Sequence, residues 1–185
     1  MAAKKTSEAT PSWIDIKARL ADFDRAGLLG LVQDLYAASK DNKAFLHTRF
    51  GLGGDPLEPY KDVISRWISP ADYRNPISVS KARKAISDYR KALGQPNGLA
   101  ELTVFYCEEV FDFLSRCGMD DEGFYDALMR MFEQALKYVT ALPAVQQTAF
   151  LARLDRVRQL GRDVGWGVGD DFDHVWSEAG LAGAE

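Results

Sequence analysis

The chain has 185 residues, 46% of them hydrophobic, with 23 Lys+Arg against 27 Asp+Glu, a formal net charge of −4 and a pI near 5.3. That length buries a core without disulfides or metal, and the composition lies far from the signature of disorder, so one folded domain is expected over 12–185. The acidic balance argues against a surface matched as a whole to nucleic acid or anionic lipid, and the lack of any eighteen-residue apolar run or apolar leader argues against membrane partners or export.

Residues 1–11, rich in Ala, Ser, Thr and Lys, read as a frayed, disordered tail. Ser12 with Asp15 three residues on forms a capping-box-like start, and Trp13, Ile16, Leu20 and Phe23 recur at helical steps. Asp24 is placed to cap a second helix with Leu28, Leu31, Leu35 and Ala38 as its apolar face. Asp41 is taken to begin a third, carrying Phe45, Leu46 and Phe50 to glycines 51, 53 and 54. Asp55 followed by Pro56 reads as an N-cap with proline at the first helical position, giving a helix from Leu57 to about Ser69 with Val63, Ile64 and Trp67 inward. The stretch 70–77, with Pro70, Asn75 and Pro76, is the most loop-like interior segment and a possible subdomain joint.

Four longer helices are expected to follow. Ser78 to Leu93 has Val79, Ala82, Ile86, Tyr89 and Leu93 as its inward stripe, and Gly94, Pro96 and Gly98 then turn the chain. Leu99 to Arg116 is apolar on two stripes and leaves only a narrow polar edge at Glu101, Glu108, Asp112 and Ser115, which makes it the expected central helix. Asp120 is taken to cap a helix with Phe124, Leu128, Met131, Ala135 and Tyr138 inward. Pro143 opens the fourth, with Phe150, Leu154, Val157 and Val164 inward before Gly165, and Phe172 to Trp176 forms a short closing helix. No segment reads as a strand. The fold class is therefore all-α, either a helical bundle or a short α-solenoid-like stack of antiparallel hairpins, with no fixed-period repeat to choose between them.

Chemistry has few places to reside. Asp170, Asp173 and His174 could share a helix face and hold a divalent metal, as a hydrolase would need. The plainer reading is that Asp170 or Asp171 caps the last helix while its neighbours meet the positive helix end. Gly165, Trp166, Gly167 and Gly169 match no phosphate-loop spacing and are read as a sharp turn that seats Trp166 in the core, with a neighbouring glycine at positive φ. On 78–93, Lys81, Arg83, Lys84, Arg90 and Lys91 face only Asp88; they either offer a phosphate-binding face or lie beside the acid-rich helix that follows and neutralise it.

Arg153, Arg156, Arg158 and Arg162, diluted by Asp155 and Asp163, read as a solvated face. His47 has no carboxylate or cysteine at catalytic spacing and is assigned a structural role. Cys107 and Cys117, ten residues apart on one helix and so roughly 15 Å from each other, cannot pair, which points to the reducing cytoplasm. No catalytic residue and no cofactor is assigned.

Leu35–Tyr36, Phe45–Leu46, Lys81 to Ile86, Phe105–Tyr106, Phe124–Tyr125 and Gly165–Trp166–Gly167 together give a chain that resembles an uncharacterised bacterial family of small all-helical proteins, a domain of unknown function. The resemblance implies helices and a bacterial source and carries no reaction, cofactor or site residues. The leading expectation is thus a non-enzymatic helical module that binds a protein partner. The alternatives are a nucleic-acid-associated protein using the basic helix and a metal-dependent hydrolase using the C-terminal Asp/His cluster.

Overall fold

Several helix starts are written in a side chain that satisfies the amides a helix leaves without partners, Asp24, Ser39, Ser78 and Asp121 among them. In the computed structural model, which describes residues 11–72 and 74–181, the chain forms nine α-helices and no strand among the described residues. Residues 1–10, most of the expected tail, lie outside them. The chain divides into two compact units, 1–44 and 45–185.

The first unit holds α1 (Trp13–Leu20), α2 (Arg25–Ala38) and the beginning of α3 (Lys40–Phe50). The Asp15 carboxylate accepts the Ser12 backbone N–H at 2.7 Å and its hydroxyl at 2.8 Å, as the capping pattern predicts. Asp24 accepts the Gly27 N–H at 2.7 Å. Ser39, not Asp41, caps α3, its hydroxyl accepting the Asn42 N–H at 3.0 Å, and Asp41 falls into the first turn. Neither α1 nor α2 buries a single residue.

The second unit contains the rest of α3, then α4 (Glu58–Ile68), α5 (Val79–Ala92), α6 (Pro96–Arg116), α7 (Glu122–Thr140), α8 (Ala144–Gly161) and α9 (Val168–Glu178). Several starts differ from the sequence reading by a few residues. Asp55 accepts the Leu57 N–H at 2.9 Å in a turn, so α4 begins at Glu58 with Pro59 in its first turn. Pro96 opens α6 rather than belonging to the preceding turn, and Gly98 lies inside that helix because a Cβ there would stand 2.0 Å from the Tyr89 hydroxyl. Asp121, one residue beyond the expected Asp120, caps α7. α8 stops at Gly161, and α9 starts four residues before Phe172, on Gly167.

The hairpins α4–α5, α6–α7 and α8–α9 pack each on itself, α6 touches both α4 and α8, and α7 touches α9. The first helix of each later hairpin also meets the second helix of the one before, α6 on α5 and α8 on α7. Substantial contacts thus join only helices one or two places apart, the signature of hairpins stacked in two layers, with α4, α6 and α8 forming one layer. The segment 70–77 joins α4 to α5 inside this unit.

Being in the middle, α6 is covered on most sides, and eleven of its residues are buried, Leu102, Tyr106, Val110 and Phe113 among them. At roughly 1.5–3 kcal/mol for each large apolar side chain removed from water, α6 supplies more core than any neighbour. Phe172 of α9 stacks on Phe132 of α7 with ring centroids 4.1 Å apart and lies 6.3 Å from Phe111 of α6. Gly161 admits that ring, since a Cβ there would lie 2.6 Å from it.

Candidate functional site

An apolar helix packed between two others cannot leave its few charged groups without partners. The polar edge of α6 meets cations from both flanking helices of its layer. Glu101 takes Lys61 of α4 at 2.7 Å and Arg153 of α8 at 2.5 Å. The Arg153 fork also grips Glu108, Nε to Oε1 at 2.8 Å and Nη2 to Oε2 at 2.6 Å, a bidentate pair of the strongest geometry. One turn further, Asp112 accepts the Ser69 hydroxyl at 2.6 Å and pairs with Arg116 at 2.9 Å, while Arg116 also reaches the Ser69 hydroxyl and the Pro70 carbonyl. The result is a charged rail running across α4, α6 and α8.

Burial alone would push the Glu101 carboxyl upward, but the hydrogen bonds from Arg153 and Lys61 outweigh it and hold it below the usual carboxylate range. Asp112 is likewise held low, chiefly by the Ser69 hydroxyl. Glu109, half-buried beside them, is pushed up by burial, against a hydrogen bond to Ser65. Two open cavities border the rail. One of about 590 Å³ is lined by Ser65, Arg66, Trp67, Ser69 and Pro70, and another of about 420 Å³ by Phe111, Asp112, Arg153, Arg156 and Leu160.

Of the four arginines expected to form a solvated face, Arg156 and Arg162 are exposed, whereas Arg153 and Arg158 are half-buried. Arg153 is 26% exposed, and Arg158, 18% exposed, pairs with Asp155 at 2.7 Å and with Asp173 of α9. Asp173 also takes Arg162 at 2.9 Å, so of the three metal candidates it is turned toward cations. His174 is exposed and lies 3.4 Å from Glu178, and Asp170 sits in the first turn of α9. Among the described residues no group of three His, Cys, Asp or Glu side chains could hold a metal ion. The capping role given to Asp170 or Asp171 also needs correction: the N-cap of α9 is Gly167 at φ 74°, without a side-chain cap.

Trp166 is corrected too. It is 56% exposed and stacks on Tyr125 with centroids 5.8 Å apart, instead of entering the core. Gly165, Trp166 and Gly167 all have positive φ, at 82°, 53° and 74°. The left-handed run turns the chain so tightly that the indole ends on the surface.

On α5 the basic residues are divided among separate partners. Lys81 stands 3.7 Å from the centroid of the Trp67 ring, Lys84 pairs with Asp88 at 2.5 Å, Lys91 approaches Asp88 at 3.9 Å, and Arg90 meets the Tyr138 ring and hydroxyl. Arg83 is exposed on the same helix. Glu101 and Glu108 of α6 are neutralised by Lys61 of α4 and Arg153 of α8, so pairing with the basic helix that precedes α6 is replaced by pairing within the layer of α4, α6 and α8. His47 is exposed, whereas the buried polar residue of α3 is Thr48. Cys107 is buried, which pushes its thiol up, and Cys117 is half-buried; both are free.

The first unit presents the opposite situation. Trp13 is 68% exposed and Ile14 77%, and Ile16, Phe23, Leu28, Leu29, Val32 and Leu35 are all exposed as well. α2 is apolar around most of its circumference, the pattern of a helix enclosed by others. Sequence reading found Trp13, Ile16, Phe23, Leu28 and Leu35 of this face but not Ile14, Leu29 or Val32, and it missed Lys61 and the bridging role of Arg153. The available signal was the spacing of Glu101, Glu108 and Asp112 on an otherwise apolar helix.

No described helix is long and apolar enough to cross a membrane. Comparison with known protein families, with curated proteins and with solved structures finds no match to this chain.

Proposed function

We propose that this protein is a non-enzymatic helical module whose function is to bind another polypeptide, acting in a reducing cytoplasm. One observation carries the reading: α1, α2 and the turn between them display eight large apolar side chains, and neither helix buries any residue. A monomer rarely leaves an apolar patch larger than a few hundred Å² open to water, and such patches mark interaction sites. The two unpaired cysteines support the compartment. The rail across α4, α6 and α8 supports the scaffold role, since its charges are spent on holding helices together.

The test is a photoreactive amino acid placed at Leu29 or Val32 in living cells. Covalent adducts with a second polypeptide, another copy included, are expected. Adducts confined to the same chain, or formed with lipid alone, would refute the reading.

A further inference from the structure

We infer that the polypeptide bound by α1 and α2 is a second copy of this chain, joined through a two-fold interface built from those helices. The inference rests on the interaction reading above and adds the identity of the partner.

The spacing on both elements is that of helices that pack on like helices. Trp13, Ile16 and Leu20 recur at steps of three and four on α1, Phe23 follows in the turn, and Leu28, Leu31, Leu35 and Ala38 recur at steps of three, four and three on α2. Each is a short seam of the a/d kind. A single seam of two turns is too short for a two-stranded coiled coil, but two seams from each of two copies make the four needed for a small bundle.

Area agrees. The eight exposed side chains range from 41% to 77% exposure and together equal between four and five fully exposed residues. At roughly 150–200 Å² for a large side chain they amount to about 650–870 Å². A standard interface takes about 800 Å² from each partner, and a two-fold axis draws the same patch from both copies.

Charge selects against strongly charged occupants. Between Ser12 and Ala38 stand Asp15, Asp22, Asp24 and Asp34 with Lys17, Arg19 and Arg25, a nearly balanced and interspersed set. Such a surface meets its own copy without like-charge repulsion, whereas an anionic lipid surface, or a strongly acidic or basic partner, gains no net attraction from it.

Sedimentation velocity on the purified full chain tests this from about 1 to about 100 µM, the range in which such interfaces dissociate. The expected species has twice the 20.6 kDa chain mass. Changing Leu28 and Leu35 together to lysine should weaken association at least about a hundredfold, because two charges would enter the seam. Should that variant misfold, a mixture of ¹⁴N and ¹⁵N chains treated with a lysine cross-linker gives an answer without mutation. Mixed-isotope peptides containing Lys17 are expected, and peptides of one isotope only would overturn the inference. A monomer at every concentration, a dimer unaffected by the double substitution, or a monomer that co-sediments with phosphatidylglycerol vesicles would each overturn it. A monomer whose photo-cross-linker still captures a different polypeptide in cells leaves the interaction reading standing, and adducts confined to the chain itself remove both.

Discussion

Replacing Arg153 with methionine keeps most of the side-chain volume and removes the one guanidinium that joins Glu101 to Glu108. The magnitude follows from burial. An exposed ion pair contributes about 0–1 kcal/mol, and breaking a buried one costs about 3–5 kcal/mol because a charge is left in a poor solvent. Glu101 is 16% exposed, Arg153 26% and Glu108 34%, between those limits and nearer the buried one. A loss of about 2–3 kcal/mol at neutral pH is expected, a fall of about 5–10 °C in Tm for a chain of this size.

The pH dependence makes the cause identifiable. In the native chain Glu101 is depressed below its unfolded value of about 4.3, so its contribution is complete above that value and is lost as pH falls through the lower folded value. Without Arg153 burial faces only Lys61, the folded carboxyl binds its proton more readily, and the gap between variant and native chain narrows from pH 7 toward pH 4. Urea denaturation across that range measures it. Adding Glu108→Gln to Arg153→Met should recover about 1 kcal/mol by removing one orphaned charge. A difference below about 0.5 kcal/mol at pH 7, or one that stays constant down to pH 4, would refute the argument.

Gly98→Ala should lose about 2 kcal/mol despite alanine's helix propensity, because its Cβ would collide with the Tyr89 hydroxyl; a raised denaturation midpoint would contradict this. Trp166→Ala should cost only about 0.5–1.5 kcal/mol, the value of the Tyr125 stack, and Trp166→Gly less still, since glycine accepts the φ of 53° without strain; a loss of 3 kcal/mol or more would return Trp166 to the core. Nucleic acid should bind no tighter than about 10⁻⁴ to 10⁻⁶ M at physiological salt, because the cations of α5 are spread over Trp67, Asp88 and Tyr138. A fluorescence titration giving nanomolar, steeply salt-dependent affinity, abolished by changing Arg83, Lys84, Arg90 and Lys91 to glutamate, would overturn that expectation.

The helices were legible where a local rule governs them. Ser12 with Asp15 and Asp24 with Gly27 make the contacts their spacing indicates, because a cap and its amide lie within three residues of each other. The starts of α3, α4 and α7 moved by a residue or two between neighbouring capping candidates, whereas the roles of two glycines are decided by distant contacts. Gly98 looks like a turn residue until Tyr89 is placed against it, and Gly161 looks like an interior weakness until Phe172 fills the space beside it. Trp166 shows the limit from the other side. Its aromatic character suggested burial, yet the direction of an indole after three left-handed residues depends on dihedral angles that composition does not encode.

The rail was half-legible for a similar reason. Acids at 101, 108 and 112 on an apolar helix announce that cations must come from elsewhere, but only the stacking of hairpins says which helices supply them. Arg153 stands 45 residues from Glu108 and 52 from Glu101. The nearest basic run in sequence, on α5, belongs to the other layer, and proximity along the chain therefore pointed to the wrong helix. In a stack of hairpins the first helices touch one another across the intervening second helix, so complementary charge is to be sought two helices away. By that rule α4 and α8 are the places to look for the partners of α6, and Lys61 and Arg153 are what stands there. α1 and α2 bury none of their own residues, and the interaction proposed above rests on that observation.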